Sequence, residues 1–289
     1  QVHDDHGNSL LSLAALTGDV HTAKQLLAVD ASVEVINEDG KTPLQLAAEN
    51  DHYAVLQLLG NVADADANSA VAVAAQNGDT ELLKKLIASK AALNGHNASG
   101  QTPLMRASRN GHVAAVQALV DARVNLRARD SENFTALAEA AHHGHLEIVQ
   151  ILLAAKASQH METKQGQTPL MLAVDAGHLD VVQCLVDAGA DLDACEADGF
   201  TALAIAAFNG HTDILKILVD ASSPLDVHNV AGETALITAA ARGHADAVRI
   251  LLEAGADATI ANEEGATALD VAVAGNYSDV VELLQQSAN

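Results

Sequence analysis

A hydroxyl residue recurs along this chain at a fixed interval, and that interval limits what the chain can fold into. It stands at Ser9, Thr42, Ser69, Thr102, Thr135, Thr168, Thr201, Thr234 and Thr267. Seven of the eight steps are 33 residues, and the step from Thr42 to Ser69 is 27. A period of this length is the mark of a repeat architecture, in which one short supersecondary unit is stacked many times. Nine units fill positions 1–289 as a single array. The usual conversion of chain length into domain number does not apply, because each unit packs only on its neighbours.

The residues inside one period describe the unit. Ser and Thr are good helix N-caps, since the side-chain oxygen accepts from a backbone N–H that the helix leaves without a partner. Pro43, Pro103 and Pro169 follow three of the caps, and proline suits the first helical position. Five residues after each cap stands alanine, from Ala14 to Ala272, small enough for short helices to lie close together. Nine residues after the cap comes glycine in seven units, with Asp51 and Asn276 in the other two. Gly, Asn and Asp are the residues that tolerate a left-handed helix end. A second run at helical spacing follows, such as Leu146, Val149, Leu152 and Leu153, and then a polar turn such as Ala188-Gly189-Ala190-Asp191. Each unit therefore reads helix, tight turn, longer helix, extended loop.

Gly-x-Thr-Pro-Leu-x-x-Ala from Gly166, Gly177-His178, and Gly-Ala-Asp at Gly189 and again at Gly255 resemble the ankyrin repeat family. The resemblance covers essentially the whole chain. It implies an all-α fold: an ankyrin-repeat solenoid of about nine helix-turn-helix units with short β-hairpin-like loops. Two features depart from the family pattern. The histidine often found after Thr-Pro-Leu is replaced by Gln45, Met105 or Met171, and the 27-residue step removes most of one hairpin around Gly60–Asn68. That step reads either as a hinge or as a deletion of the kind loops tolerate. Gln101-Thr-Pro-Leu-Met recurs at Gln167, and Phe134-Thr-Ala-Leu-Ala recurs at Phe200, so units four to seven look like a duplicated pair.

Composition narrows the chemistry. With 2% aromatic residues and no Trp, the core has to be Leu, Val, Ile and Ala. No apolar run reaches the ~18 residues of a membrane span, so no membrane insertion is expected. The formal charge of −23 disfavours nucleic acid, which needs clustered Lys and Arg. It suits a basic partner, or serves only to keep an apolar-rich array soluble. Cys184 and Cys195 make no disulfide framework, which points to a reducing setting, cytoplasmic or nuclear, and the protein is expected to be monomeric. The start at Gln1, without Met, reads as an excised segment or a processed product.

In the ankyrin family, partners meet the concave side, formed by loop tips before the opening Thr and by the exposed ends of first helices. Carried onto this chain, the tips are Lys41, Gln101, Phe134, Gln167, Phe200 and Glu233. The helix ends are Arg109, Asn110, His142, His143, Phe208, Asn209 and Arg242. All three phenylalanines fall on this face, and aromatic and Arg side chains dominate interface hot spots. The alternative is that Phe134 and Phe200 are duplicates of one tip residue packed on a neighbouring loop. Arg106, Arg109, Arg123, Arg127 and Arg129 make unit four basic. Arg106 either pairs with Glu139 in the next unit or, with Arg109 and Arg129, docks a carboxylate or phosphate.

His142-His143-Gly144-His145 invites a metal reading, but no Cys, Asp or Glu with ligand spacing accompanies it. His145 follows the turn glycine, as do His112, His178, His211 and His244, with His52 in the matching place. These are expected to bond a neighbouring loop, and if protonation weakens those bonds the array loosens below about pH 6. No nucleophile elbow, phosphate-binding Gly-rich loop or paired carboxylates appear. The sequence thus points to a non-catalytic scaffold, without cofactor or metal, that binds a protein or peptide across units four to seven. Its partner-binding residues would be Arg109, Asn110, Phe134, His142, His143, Phe200, Phe208 and Asn209. A structural spacer, a sensor of a small anion at Arg106, Arg109 and Arg129, and the targeting arm of a larger enzyme remain as alternatives.

Overall fold

The computed structural model describes residues 3–50, 52, 54–56, 58, 59 and 70–287. It forms two compact units, Gln1–Ser131 and Glu132–Asn289. The Ser69 cap, the turn residue Asp51 and the short step through residues 60–68 lie outside the described residues.

Both units are all-α and built from helix pairs. In the second unit the first helices are α1 (Ala136–His142), α2 (Pro169–Asp175), α3 (Ala202–Asn209), α4 (Ala235–Ala241) and α5 (Ala268–Ala274), and each packs on the next. Their partners Leu146–Ala154, Leu179–Asp187, Thr212–Asp220, Ala245–Glu253 and Ser278–Ser287 form a second row. In the first unit Leu10–Thr17 packs on Pro43–Glu49, and Ala70–Asn77 on Pro103–Arg109.

Each described opening Ser or Thr caps its helix. Thr201 Oγ1, for instance, accepts from Ala204 N at 3.2 Å. The alanines five residues on are at most 3% exposed, so the first helices meet almost backbone to backbone. Second helices bury a compact apolar trio instead: Ile148, Val149 and Leu152, or Ile214, Leu215 and Leu218. Leu146 and Leu153, which the helical spacing places on the core face, are only half-buried.

The turn between paired helices depends on one backbone conformation. Gly18, Gly78, Gly111, Gly144, Gly177, Gly210 and Gly243 all have φ between 68° and 77°, and Asn276 takes the same place at 56°. Onto most of these glycines lies the turn histidine of the following repeat. A Cβ added at Gly210 would stand 2.8 Å from His244 Nδ1, and one at Gly144 2.6 Å from His178 Nδ1. The same rings donate Nε2–H to a carbonyl 36 residues back: His52 to Leu16 (3.0 Å), His112 to Gln76 (2.8 Å), His178 to His142 (3.1 Å) and His244 to Phe208 (3.1 Å). Because the acceptor is a carbonyl oxygen, Nε2 keeps its donor role when the ring takes a second proton at Nδ1. The loosening in acid expected from the sequence therefore gains no basis from these bonds.

The loops are not β-hairpins. Among the described residues the only β pairing is three isolated bridges, His3–Ser9, Cys195–Thr201 and Ala261–Thr267. The reason is that polar side chains take the backbone donors a hairpin ladder would use. Asn229 Oδ1 accepts from both Ala231 N and Glu233 N at 2.9 Å. Asn37, Asn97, Thr163, Glu196 and Asn262 hold the residue four places on in the same way. Successive tips are then tied by one backbone bond each: Lys164 N to Glu132 O, Ala197 N to Gln165 O, Val230 N to Asp198 O and Glu263 N to Ala231 O, all 2.8–3.0 Å.

Two glycines separate the conformational and steric parts of this design. Gly189 has φ 79° with nothing within 4 Å of an added Cβ, whereas Gly210 has φ 68° beneath the His244 ring. We expect Gly189→Ala to cost about 1 kcal/mol, the left-handed penalty alone. Gly210→Ala is expected to cost about 2–3 kcal/mol, because the His244 bond is lost as well. Urea unfolding followed by circular dichroism measures both, and equal shifts would refute the role given to the ring.

Candidate functional site

The loop tips and the end of one first helix carry the chain's three phenylalanines. Phe200 is set by its own loop: its N–H donates to Glu196 Oε1 at 3.0 Å, and its carbonyl accepts from Glu196 N at 3.0 Å. Thr201 then opens α3, which delivers Phe208, eight residues after Phe200, within reach of the tip ring. The Phe200 and Phe208 rings meet edge to face, with centroids 6.2 Å apart and planes at 80°. Phe134 and His142 repeat this arrangement in α1, at 6.3 Å and 74°. Tip and helix end thus form one aromatic pair per repeat, used twice.

Phe134 and Phe200 are half-buried, and Phe208 is 37% exposed. The two tip rings pack on the helix end of their own repeat.

Phe208 is held from the next repeat twice over. Arg242, the C-cap of α4, places its guanidinium carbon 3.7 Å from the ring centroid. His244, two residues on, grips the Phe208 carbonyl. From the preceding repeat, Asp175 Oδ1 accepts from Asn209 Nδ2 at 3.0 Å. The Phe208–Asn209 corner is therefore fixed on both sides. Asp175 was not singled out in the sequence. The available signal was its position, seven residues after the cap, in the same column as His142 and Phe208.

His143 serves its own helix end. Its Nδ1–H donates to Glu139 O at 2.9 Å, with Glu139 Oε2 at 3.6 Å, and its ring stacks on His145 at 6.2 Å. Its ring also meets that of His142, 5.0 Å away and at 85°. Among the described residues no group of three or more His, Cys, Asp or Glu is placed to hold a metal ion.

The remaining candidates lie in the first unit. Arg109 and Asn110 are exposed at the end of Pro103–Arg109. Asn110 Nδ2 caps that helix by donating to Arg106 O at 2.8 Å, a different task from that of Asn209. Arg106 is 9% exposed and donates Nη1–H to Gln76 Oε1 at 3.1 Å. Burial pulls its guanidinium below the ordinary arginine range, though it stays charged. Arg129 is exposed in the loop.

The family model for ankyrin repeats, in a three-copy form, matches residues 1–70, 71–162, 156–227 and 221–289. Among solved structures, the chain is similar to the ankyrin repeat domain of Bcl-3, described as a unique member of the IkappaB protein family. The two share 26% sequence identity with a TM-score of 0.69, over 76% of this chain and 99% of that one. Among the described residues no helix is long and apolar enough to cross a membrane.

Cation–aromatic contacts at exposed sites contribute about 0.5–1 kcal/mol. We expect that coupling energy from a double-mutant cycle of Phe208→Ala and Arg242→Ala measured by thermal or urea unfolding. A coupling of zero would mean that the guanidinium does not hold the ring.

Proposed function

Since the chain belongs to the ankyrin repeat family, whose members are non-catalytic protein-interaction scaffolds, we propose that it works as one array over residues 1–289 and binds a protein or peptide on the concave face of repeats four to seven. The observation that carries this is Phe208, an exposed ring held still by Arg242 and Phe200. Phe208 and the half-buried Phe134 and Phe200 are the apolar anchors in this reading. Arg109, Asn110, His142, His143 and Asn209 orient the partner around them. Because the corner is fixed before binding, little ordering entropy is lost when the partner arrives. With this reading go a monomeric state and a cytoplasmic or nuclear setting. It holds equally if the chain is the targeting arm of a larger enzyme.

Recognition of a small anion by Arg106, Arg109 and Arg129 has less support. Arg106, at the centre of that cluster, is buried and donates to Gln76 of the preceding repeat. A bare spacer leaves the held aromatic corner without a role.

The test is affinity capture with mass spectrometry, comparing the parent chain with a Phe134→Ala, Phe200→Ala, Phe208→Ala variant. Each anchor is expected to contribute about 1–2 kcal/mol, so the triple variant should lose a captured partner by ~100-fold or more. A folded triple variant that captures the same partners as the parent would sink the proposal.

A further inference from the structure

Phe208 leaves open a question of chemistry: what covers the part of the ring that Arg242 and Phe200 do not. We infer that this face takes a basic segment of a partner protein, in which an apolar side chain is flanked by Lys or Arg. The inference rests on the protein-binding reading above and adds the charge of the partner.

Charge complementarity around a fixed apolar spot favours such a partner. The Lys and Arg residues of Glu132–Asn289 are Lys156, Lys164, Lys216, Arg242 and Arg249. Lys164 is paired with Glu132 at 3.4 Å, Lys216 with Asp213 at 3.3 Å and Arg249 with Asp246 at 2.9 Å. Lys216 and Arg249 belong to second helices, and Lys156 follows one. Arg242 is engaged on Phe208.

The carboxylates at the first-helix end Asp175 and in the loops at Glu196, Asp198 and Glu233 are differently placed. Asp175, Glu196, Asp198 and Glu233 make no ion pair among the described residues. Asp175 accepts from the Asn209 amide, Glu196 from Phe200 N and Glu233 from Asn229 Nδ2, so these carboxylates are oriented by hydrogen bonds yet carry uncompensated charge. A neutral segment arriving here would cover the ring and leave those charges with a poorer solvent shell. An acidic one would bring like charges together, and a second copy of this chain, at −23, would do the same. A basic segment meets the carboxylates at short range, and can lay the aliphatic stem of a Lys or Arg along the open part of the ring.

The experiment is selection of a random displayed peptide library on the full chain, followed by solution affinities of the selected peptides at low and at physiological salt. The expected peptides carry net positive charge with an apolar residue among the basic ones, and bind more weakly at the higher salt. Phe208→Ala should weaken them tenfold or more, and Asp175→Asn and Glu233→Gln severalfold each. Asp220→Asn removes the same charge from the exposed end of Thr212–Asp220, a second helix, and should change nothing. Circular dichroism of each variant confirms folding. Selected peptides that are neutral or acidic but still depend on Phe208 would overturn the basic partner and leave the protein-binding face standing. Equal losses for Asp220→Asn and Asp175→Asn would overturn the inference by showing diffuse attraction. If every selected peptide binds Phe208→Ala as tightly as the parent, or none is selected, both the inference and the reading beneath it fail.

Discussion

The structure depends on a contact between a residue without a Cβ and an aromatic ring. Among the described residues the chain reverses nine residues after the cap in the left-handed region, which favours glycine. The absent Cβ leaves a flat surface, and the next repeat lays its imidazole there, as His244 does over Gly210. The ring then reaches a carbonyl in the turn before. One position thus sets both the reversal within a repeat and the register between repeats. Each such bond is worth about 1 kcal/mol net. Its weight lies in repetition, since stability in a repeat array is close to a sum over units and their interfaces. In the last repeat Asn276 takes the left-handed position, and Tyr277 lies over Gly243 in place of a histidine.

The same contact explains why the exposed corner can vary without cost to the scaffold. The carbonyl gripped by each histidine belongs to the residue seven places after the cap: Leu16, Gln76, His142 and Phe208. The backbone there is fixed by the next repeat, while the side chain stays out of the fully buried core. An aliphatic, an amide, an imidazole and a phenyl group stand at equivalent points on one frame. Binding chemistry placed in this column is held by rigid elements and remains independent of the core.

Much of this was legible in the amino-acid order because the scaffold asks for a particular residue type at each place. Caps need a short oxygen, close helices need alanine, and the turn needs glycine, so Thr201, Ala206 and Gly210 read as what they are. The loops did not read correctly, because their requirement is only for an acceptor oxygen four residues before the tip. Asn229, Thr163 and Glu196 all supply one, and three residue types doing one job leave no visible pattern. The hairpin-like loops expected from the family gave way to these side-chain-organised turns. Identical residues also diverged. Asn110 caps its own helix, whereas Asn209 reaches Asp175, because the repeat before it offers a carboxylate in the matching column and the repeat before Asn110 offers Gln76. That choice is made between repeats and cannot be seen within one.

The aromatic corner follows from the same logic of spacing. Phe200 and Phe208 meet because the helix between them is short: at ~1.5 Å per residue, tip and helix end stay within reach of two large side chains. A longer first helix would carry the second ring away from the first, and a shorter one would not reach the turn. Once the two rings meet, Phe208 still presents a face, and the exposed Arg242 lays its guanidinium on that face. The guanidinium loses some conformational freedom by doing so, and the ring gains a fixed plane. What remains exposed is a small apolar spot fixed by Phe200 and Arg242, with Asp175 held on the adjoining Asn209, a combination that a dissolved chain has no need to maintain for its own folding.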